Sequence, residues 1–361
     1  AYDSFDQLVR ENNQAAGKTW TYAYDSGGNI LSKTEYAYTT GSLGAAVRTV
    51  NYGYGDASWS DLLTSIDGQS LTADEIGNLL SDGTWTYTWQ HGRQLAGMSK
   101  TGTNIAYGYD SDGKRITKTV NGTTYNYHYL GDQLVELTWG SNKLHFTYDS
   151  TGPLSVNCNG TEYFYVKNAQ GDVTGLVNAS GTRVVTYTYD AWGNLLSTSG
   201  SMAATLGAQN PLRYRGYVYD TETGLYYLQS RYYNPGWGRF INVDSQLNCS
   251  MDIGGCNAFA YCLNNPVNMV DYDGNSAVAI AGGYGLYVWA FAGANAWNII
   301  GQVVLVGMAV VTIVLAIKIV YDKTSGKKTT KNGSQTAGHR TTKNGSKKKM
   351  TNIQNQDRGV K

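Results

Sequence analysis

Charged side chains are scarce in this chain of 361 residues. Asp, Glu, Lys and Arg together make up 15% of it, where about 25% is usual for soluble domains. Glutamate occurs only 6 times and proline only 4 times. Because exposed helical faces are built largely from Glu, Lys and Arg, we do not expect a helical enzyme domain.

Cysteine and histidine are also rare, with four of each, and no pair has the spacing of metal ligands. A disulfide scaffold, a zinc site and a bound cofactor are therefore not expected. The chain opens on AYDSFDQL, without the basic and then apolar stretch of a signal peptide. We interpret this start as the middle of a repeat, so the chain is expected to be a fragment of something longer.

Tyrosine and glycine, in contrast, are abundant, with 30 and 44 residues. Tyr, Thr, Val and Trp favour pleated, half-buried surfaces, while Gly with Asn and Asp supplies tight turns. The composition therefore predicts a mainly antiparallel β fold.

Charge divides the chain into unequal parts. Residues 1–317 carry 16 Lys/Arg and 25 Asp/Glu, whereas residues 318–361 carry 12 basic and 2 acidic residues. No charge occurs over the 42 residues from Ser276 to Ile317. The sequence thus predicts an acidic, Tyr-rich body, an apolar bridge and a basic tail.

A short motif repeats through the body: aromatic-x-Tyr-Asp-x-x-Gly, with degenerate copies at intervals of about 20 residues from Asp74 onward. Each interval is the length of one β-hairpin. The Asp and Gly that we assign to the turns are Asp25 and Gly28, Asp110 and Gly113, Asp149 and Gly152, Asp190 and Gly193, and Asp220 and Gly224.

Each unit predicts a strand with one aromatic face followed by a tight turn. Residues 184–189, VVTYTY, alternate with the period of a strand. The Asp is expected to accept hydrogen bonds from amides two or three residues on, and the Gly to adopt positive φ. Stacked hairpins would bury their aromatic rows on one another in a curved or spiralling sheet. An ordinary β-sandwich is the alternative.

These repeats resemble the YD repeats of Rhs proteins, teneurins and the C component of Tc toxins. A second match looks like the Rhs repeat-associated core domain in its Gram-positive style. It comprises Arg213–Pro235, Gly238–Asp244, Phe259–Asn268 and Asp271–Asn275.

The resemblance implies a hollow β-shell that encloses a C-terminal toxin and is plugged by the core domain. The implied divisions are a wall at 1–210, a core plug at 211–275, an apolar segment at 276–321 and a basic, low-complexity tail at 322–361, which is a candidate truncated effector. Such a protein would be secreted or held at the surface or cell wall of a bacterium. Its expected partners are its own effector segment and a cognate immunity protein.

Family members cut themselves at the end of the core with a pair of aspartates. The matching positions are Asp244 and Asp271, and the resemblance implies a cut just after Gly274 or Asn275. Two adjoining carboxyl groups could act as acid and base on a peptide bond.

This chain departs from the family's cleavage motif. Ser245 and Tyr272 stand where the motif has proline. The alternative is that the two aspartates are only turn and cap residues.

Arginines interleave with tyrosines in the core, which predicts guanidinium groups stacked on rings or paired with Asp220 and Glu222. Nucleic-acid binding is the alternative, and the acids nearby weigh against it. The arginines are Arg213, Arg215, Arg231 and Arg239.

The apolar segment predicts one or two membrane spans. Ile299 to Ile317 is interrupted only by Gln302 and Thr312, and 19 residues of helix reach about 28 Å, close to the thickness of a bilayer's hydrocarbon core. Ser276 to Asn298 is a weaker second candidate. The alternative is a helix buried inside the shell. The basic tail that follows predicts disorder and is the only part suited to binding nucleic acid or anionic lipid.

Three functions remain open. The first is a delivery shell whose effector inserts into a membrane, with aspartyl self-cleavage as its only enzymatic step. The second is a wall-associated nuclease toxin whose catalytic part lies within or beyond the tail. The third is a membrane-anchored adhesin or carbohydrate-binding repeat protein.

Overall fold

The structure is a computed structural model of the chain, and it describes residues 1–245 and 256–280. Antiparallel β-strands dominate these residues, as the composition predicts. The candidate span Ile299 to Ile317, nearly all of Ser276 to Asn298 and the basic tail at 322–361 lie outside the described residues. Within the described ranges, no helix is long and apolar enough to cross a membrane.

The first six strands form one sheet in chain order. They are β1 (Arg10–Asn13), β2 (Lys18–Tyr24), β3 (Ile30–Ala37), β4 (Arg48–Gly53), β5 (Ser65–Ile66) and β6 (Gln69–Ser70).

The next fourteen strands form a second sheet, also in chain order. They are β7 (Thr72–Ala73), β8 (Leu79–Ser81), β9 (Thr86–Gln90), β10 (Gln94–Lys100), β11 (Thr103–Tyr109), β12 (Arg115–Val120), β13 (Thr123–Leu130), β14 (Gln133–Trp139), β15 (Asn142–Asp149), β16 (Gly152–Cys158), β17 (Thr161–Lys167), β18 (Val173–Asn178), β19 (Arg183–Tyr189) and β20 (Leu195–Ser199).

Every strand of these two sheets pairs only with its neighbours in sequence, and every pair is antiparallel. This meander confirms the prediction of stacked antiparallel hairpins. We refer to β1–β20 as the wall.

The predicted Asp–Gly turns at Asp25, Asp110 and Asp190 share one geometry. Asp190 Oδ1 accepts hydrogen bonds from the amides of Trp192 at 3.0 Å and Asn194 at 2.9 Å, and Gly193 has φ of 84°. The amide bonds therefore fall two and four residues on, rather than two and three. The same pattern occurs at Asp25 and Asp110. Because these turns follow every second strand, they all lie at the same end of the strands.

The tyrosine before each of these aspartates interrupts the ladder and then ties it to the preceding strand. Register shifts occur at Tyr109, Tyr148 and Tyr189. The hydroxyl of Tyr148 donates to the carbonyl oxygen of Leu134 at 2.7 Å, and Tyr109 and Tyr189 make equivalent bonds. Bulges strengthen twist, so the same residue that starts the turn also bends the wall.

The remaining elements are short and follow the wall. They are α1 (Leu206–Gln209), the sheet β21 (Val218–Asp220), β22 (Leu225–Tyr227), β23 (Tyr232–Asn234) and β24 (Arg239–Phe240), and the hairpin β25 (Met269–Asp271) and β26 (Ala277–Ala279). We call the part from Leu212 to Gly274 the core, and the boundary at 211–275 stays a prediction.

The core buries its tyrosines against the wall. Tyr226, Tyr233 and Tyr261 are fully buried, and the hydroxyl of Tyr233 donates to the carbonyl oxygen of Trp192 at 2.7 Å. The rings of Tyr233 and Tyr261 stack with centroids 4.1 Å apart. Aromatic rings of the wall therefore pack against rings of the core, as Tyr107 does with Tyr232 and Tyr189 with Tyr214.

Candidate functional site

The hairpin of β25 and β26 presents the predicted cleavage residues. Asp271 ends β25, and its Oδ1 accepts hydrogen bonds from the amides of Gly274 at 2.8 Å, Asn275 at 3.1 Å and Ser276 at 3.3 Å. A carboxylate at the head of a tight turn accepts such bonds readily. Asp271 is therefore a turn residue, and it also contacts the nitrogens of both peptide bonds at which cleavage was predicted, after Gly274 and after Asn275.

Arg231 joins the two predicted aspartates. One of its terminal nitrogens, Nη2, lies 2.9 Å from Asp244 Oδ2 and 3.4 Å from Asp271 Oδ2. Its Nε donates to the carbonyl oxygen of Gly274, and Nη1 donates to the carbonyl oxygen of Ala258 at 3.3 Å. The side chain is almost completely buried, so these acceptors replace the water it has lost.

The backbone at Gly274 is held by residues 228–231 of the core. Gly274 has φ of 75°, and a Cβ there would lie 2.7 Å from the carbonyl oxygen of Leu228. The amide and hydroxyl of Ser230 both donate to the carbonyl oxygen of Asp273, at 3.1 and 2.6 Å. Only glycine fits this backbone. In this conformation the Gly274 carbonyl oxygen accepts the hydrogen bond from Arg231 Nε.

Burial changes the proton affinity of the cluster. It raises the pKa of Asp271 to about 6, against the opposing charge of Arg231. Burial also lowers the pKa of the Arg231 guanidinium, although Asp244 and Asp271 oppose the effect. A carboxyl group with a pKa near 6 can hold a proton in mildly acidic solution, which is a requirement for a general acid.

The structure thus brings together Asp244, Asp271, Gly274 and Asn275, and their role in self-cleavage stays a prediction. Arg231 is the residue that sequence reasoning missed at this site. It was predicted to stack on a ring or to pair with Asp220 or Glu222, and it does stack on Phe240, with 3.6 Å between guanidinium carbon and ring centroid. Its position 13 residues before Asp244 gave no signal of the contact.

The other core arginines also stack on rings, as predicted. Arg213 lies 4.3 Å from the ring centroid of Tyr219, Arg215 lies 5.0 Å from that of Tyr214, and Arg239 lies 5.0 Å from that of Phe259.

The core carboxylates instead pair with the wall. Arg115 on β12 contacts Asp220 through both terminal nitrogens, at 2.5 and 3.1 Å, and neither side chain is exposed. Lys118 contacts Asp220 at 3.1 Å and Glu222 at 2.7 Å. Burial alone would raise the pKa of Asp220, but Arg115 and Lys118 outweigh it and hold that pKa below its usual value.

Arg215, a second buried charge, anchors the core to the turn between β17 and β18 of the wall. Arg215 donates from Nη1 to the carbonyl oxygen of Gln170 at 2.7 Å and from Nη2 to that of Pro266. Its backbone amide donates to Asp172 Oδ1 at 3.1 Å. Its Nε also lies 3.6 Å from Asp172 Oδ1. Because removing one partner of a buried ion pair is costly, the contacts with Gln170 and Asp172 fix the core on the wall, whereas the bond to Pro266 lies within the core.

The predicted turn residues occupy two kinds of environment. Asp149 accepts from the amide of Thr151 at 2.7 Å, and Gly152 has φ of 110°. Gly224 also has positive φ, but the side chain of Asp220 bonds to the wall, and only its backbone carbonyl closes the turn to Gly224.

Within the described ranges, no group of three His, Cys, Asp or Glu residues could hold a metal ion.

The fold and site together define a class: an antiparallel wall of YD-type hairpins packed against a tyrosine-rich core, in which Arg231 joins Asp244 to Asp271 at the last turn. The Teneurin YD-shell family model matches residues 1–267. The chain belongs to this Rhs/YD-repeat family.

Among curated proteins, the chain is 40% identical over 282 residues to the tRNA3(Ser)-specific nuclease WapA of Bacillus spizizenii. It is 39% identical over 282 residues to the tRNA nuclease WapA of Bacillus subtilis. Each match covers 76% of this chain and 12% of the relative, so the chain spans about an eighth of the length of these relatives.

Among solved structures, a Tc holotoxin pore of Photorhabdus luminescens matches with a TM-score of 0.54 at 20% identity. The match covers 76% of this chain and 15% of that chain. A TcdB2-TccC3-Cdc42 crystal structure matches with a TM-score of 0.53 at 19% identity and the same coverage. At such identities these matches support the fold alone.

Proposed function

We propose that this chain is the wall and closing core of a toxin-delivery shell, secreted or held at the bacterial surface, and that the residues from Asn275 onward are its cargo. The observation that carries the proposal is the anchoring of the core. Arg115 and Asp220 tie it to the wall through fully buried charges, and the turn at Gly274 is held by Arg231. Because the core is tied to the wall and Arg231 holds the turn at Gly274, the start of the cargo would be held at a fixed position relative to the wall.

Enclosure can be tested with trypsin, because the chain's basic residues are unevenly distributed. Residues 318–361 contain 12 of the 28 Lys and Arg. If the shell encloses them, trypsin leaves the tail intact in the native full chain and cuts it rapidly in urea. Immediate loss of the tail in native buffer, with residues 1–275 left intact, would contradict enclosure. Intact mass spectrometry distinguishes the two results.

We further propose that the cargo acts by inserting Ile299 to Ile317 into a membrane. The support is the length and apolarity of that segment and the basic residues directly after it. The nuclease alternative rests on the names of the Bacillus relatives, and the adhesin alternative requires no toxicity.

Expression of the full chain, and of the chain ending at Asn275, separates these possibilities. Growth arrest with membrane depolarisation, seen only with the full chain, supports insertion. Arrest with cleaved RNA supports the nuclease, and absence of arrest supports the adhesin. A cognate immunity protein, if one is encoded beside the toxin, should relieve the arrest.

We also propose that the core cuts its own chain at the Gly274–Asn275 peptide bond. Arg231 donates to the Gly274 carbonyl oxygen, which polarises the bond and would stabilise an oxyanion. Asp244 would accept a proton as water attacks the carbonyl carbon. Asp271, 3.1 Å from the Asn275 nitrogen, would give its proton to the leaving amine. The products are a carboxyl group on Gly274 and an amino group on Asn275.

A further inference from the structure

The wall meets itself. The turn between β19 and β20 contacts the first strands of the chain, although 157 to 180 residues separate the contacting residues in sequence. The side-chain amide of Asn13 donates to the carbonyl oxygen of Tyr189 at 2.8 Å. The rings of Tyr22 and Trp192 lie 5.7 Å apart. This contact joins the sheet of β1–β6 to the far end of the sheet of β7–β20.

Two acids and one lysine form the polar part of this contact. The amide of Ala191 donates to Glu11 Oε1 at 2.9 Å, and the hydroxyl of Tyr22 donates to Glu11 Oε2 at 3.1 Å. Lys33 contacts Asp190 Oδ2 at 2.7 Å, and the Asp190 side chain is fully buried. We call Glu11, Lys33, Asp190 and Ala191 the wall latch.

When Glu11 and Asp190 are both ionised, the wall latch holds two negative charges and only one positive charge, that of Lys33. Lys33 neutralises Asp190, whereas the direct partners of Glu11 are neutral donors. The side chain of Asp172 lines the same cavity, but it is held by Arg215. Arg183, also on that cavity, lies in an exposed position on β19.

Solvent can reach the wall latch from two sides. An open cavity of about 480 Å³ is lined by Glu11, Asn13 and Asp190, among others. A second open cavity of about 390 Å³ is lined by Lys33, Asp190 and Trp237, among others. Protons can therefore exchange with Glu11 without global unfolding.

We propose that the wall latch is a proton-dependent closure of the shell: it stays closed while Glu11 is protonated and loosens when Glu11 ionises beside Asp190. The inference concerns the wall alone and is independent of self-cleavage and of the cargo's activity.

The direction of the effect follows from the partial burial of Glu11 and from its acidic neighbour. Burial, and then the charge of Asp190, raise the pKa of Glu11 from 4.5 to about 7. A group whose pKa is higher in the closed state stabilises that state below its open-state pKa and ceases to do so as the pH rises through its closed-state pKa. The opening equilibrium constant should therefore rise by up to about tenfold per pH unit between about 4.5 and 7 and level off above.

Hydrogen exchange of the full chain tests this directly, with rates corrected for the intrinsic pH dependence of exchange. Protection of β1–β3 should fall between pH 5 and 7.5, while that of β13–β16 stays constant. Substitution Glu11→Gln, which mimics the protonated acid, should abolish the fall. The matched control is Glu35→Gln, because Glu35 pairs with Lys18 near the surface and its loss should leave the fall in place.

An equal loss of protection in β13–β16, or the same fall with and without E11Q, would overturn the proposal. If E11Q lowers protection throughout the chain, Asp190→Asn provides the second test. Removing the like charge should move the midpoint of the fall to lower pH, and an unmoved midpoint would also overturn the proposal.

Discussion

Arg115 on β12 and Asp220 on β21 form a two-point ion pair from which solvent is excluded. The guanidinium carbon of Arg115 also lies 4.5 Å from the ring centroid of Tyr227 and 4.8 Å from that of Tyr127. One arginine of the wall is thus surrounded by the acid and the aromatic rings that the core and the wall supply.

The first prediction concerns this pair. Asp220→Ala leaves Arg115 buried without its counter-ion, which should lower the free energy of unfolding by about 3–5 kcal/mol. Urea unfolding, followed by tryptophan fluorescence, measures the loss. The control is Arg48→Gln, which breaks the exposed pair with Asp67 and should cost less than about 1 kcal/mol. Equal losses in the two variants would refute the anchoring role.

The repeated tyrosines provide a second prediction. Tyr148→Phe removes the hydroxyl that donates to Leu134 and leaves that buried carbonyl with one bond fewer, so it should cost about 1 kcal/mol. Tyr129→Phe is the control, because the hydroxyl of Tyr129 has no hydrogen-bond partner among the described residues. That variant should be neutral or slightly stabilising. Thermal unfolding of both variants distinguishes the hydrogen bond from the ring.

Two glycines with nearly the same φ provide a third. A Cβ at Gly193 would lie 2.4 Å from the ring of Tyr214, whereas a Cβ at Gly181 would meet nothing within 4 Å. Gly181→Ala should cost about 1–2 kcal/mol from backbone strain alone. Gly193→Ala should cost about 1–3 kcal/mol more from overpacking. If chemical denaturation gives the two variants the same stability, the close packing of the core on this turn is wrong.

The fourth prediction is the pH profile of self-cleavage. If Asp271 donates a proton, cleavage should slow about tenfold per pH unit above its pKa of about 6. Intact mass spectrometry of the full chain should find fragments ending at Gly274 and beginning at Asn275. Asp244→Asn and Asp271→Asn should abolish them, and Asp110→Asn, in an exposed turn of the wall, should not. Separation of the fragments despite Asp244→Asn would exclude the mechanism.

The local structure of the wall was readable from the sequence because its determinants are local. Alternating residues such as those at 184–189 fix a strand and its buried face, and Asp190 with Gly193 closes a turn over five residues. The order of the strands also followed, since each pairs with its sequence neighbours. The amide four residues on, rather than three, was missed because the turn was inferred from residue types without its geometry.

The candidate site was predictable only in part. The family resemblance supplied Asp244 and Asp271, but nothing in the spacing showed that Arg231 would lie between them. The core arginines were predicted to stack on rings or to pair with Asp220 and Glu222, and the structure shows the stacking. Asp220 pairs with Arg115, 105 residues away.

What the sequence by itself determined is therefore the hairpin unit, its turns, the family and the positions of the core motifs. The tertiary structure alone decided which charges meet: Asp220 with Arg115, Arg231 with two aspartates, and Glu11 with the turn at Asp190. The reason is physical. Turns and strands depend on neighbouring residues. An ion pair between distant residues depends instead on the twist that accumulates over the strands between them, which decides which side chains meet. It also depends on which charges are buried away from water and therefore need a partner.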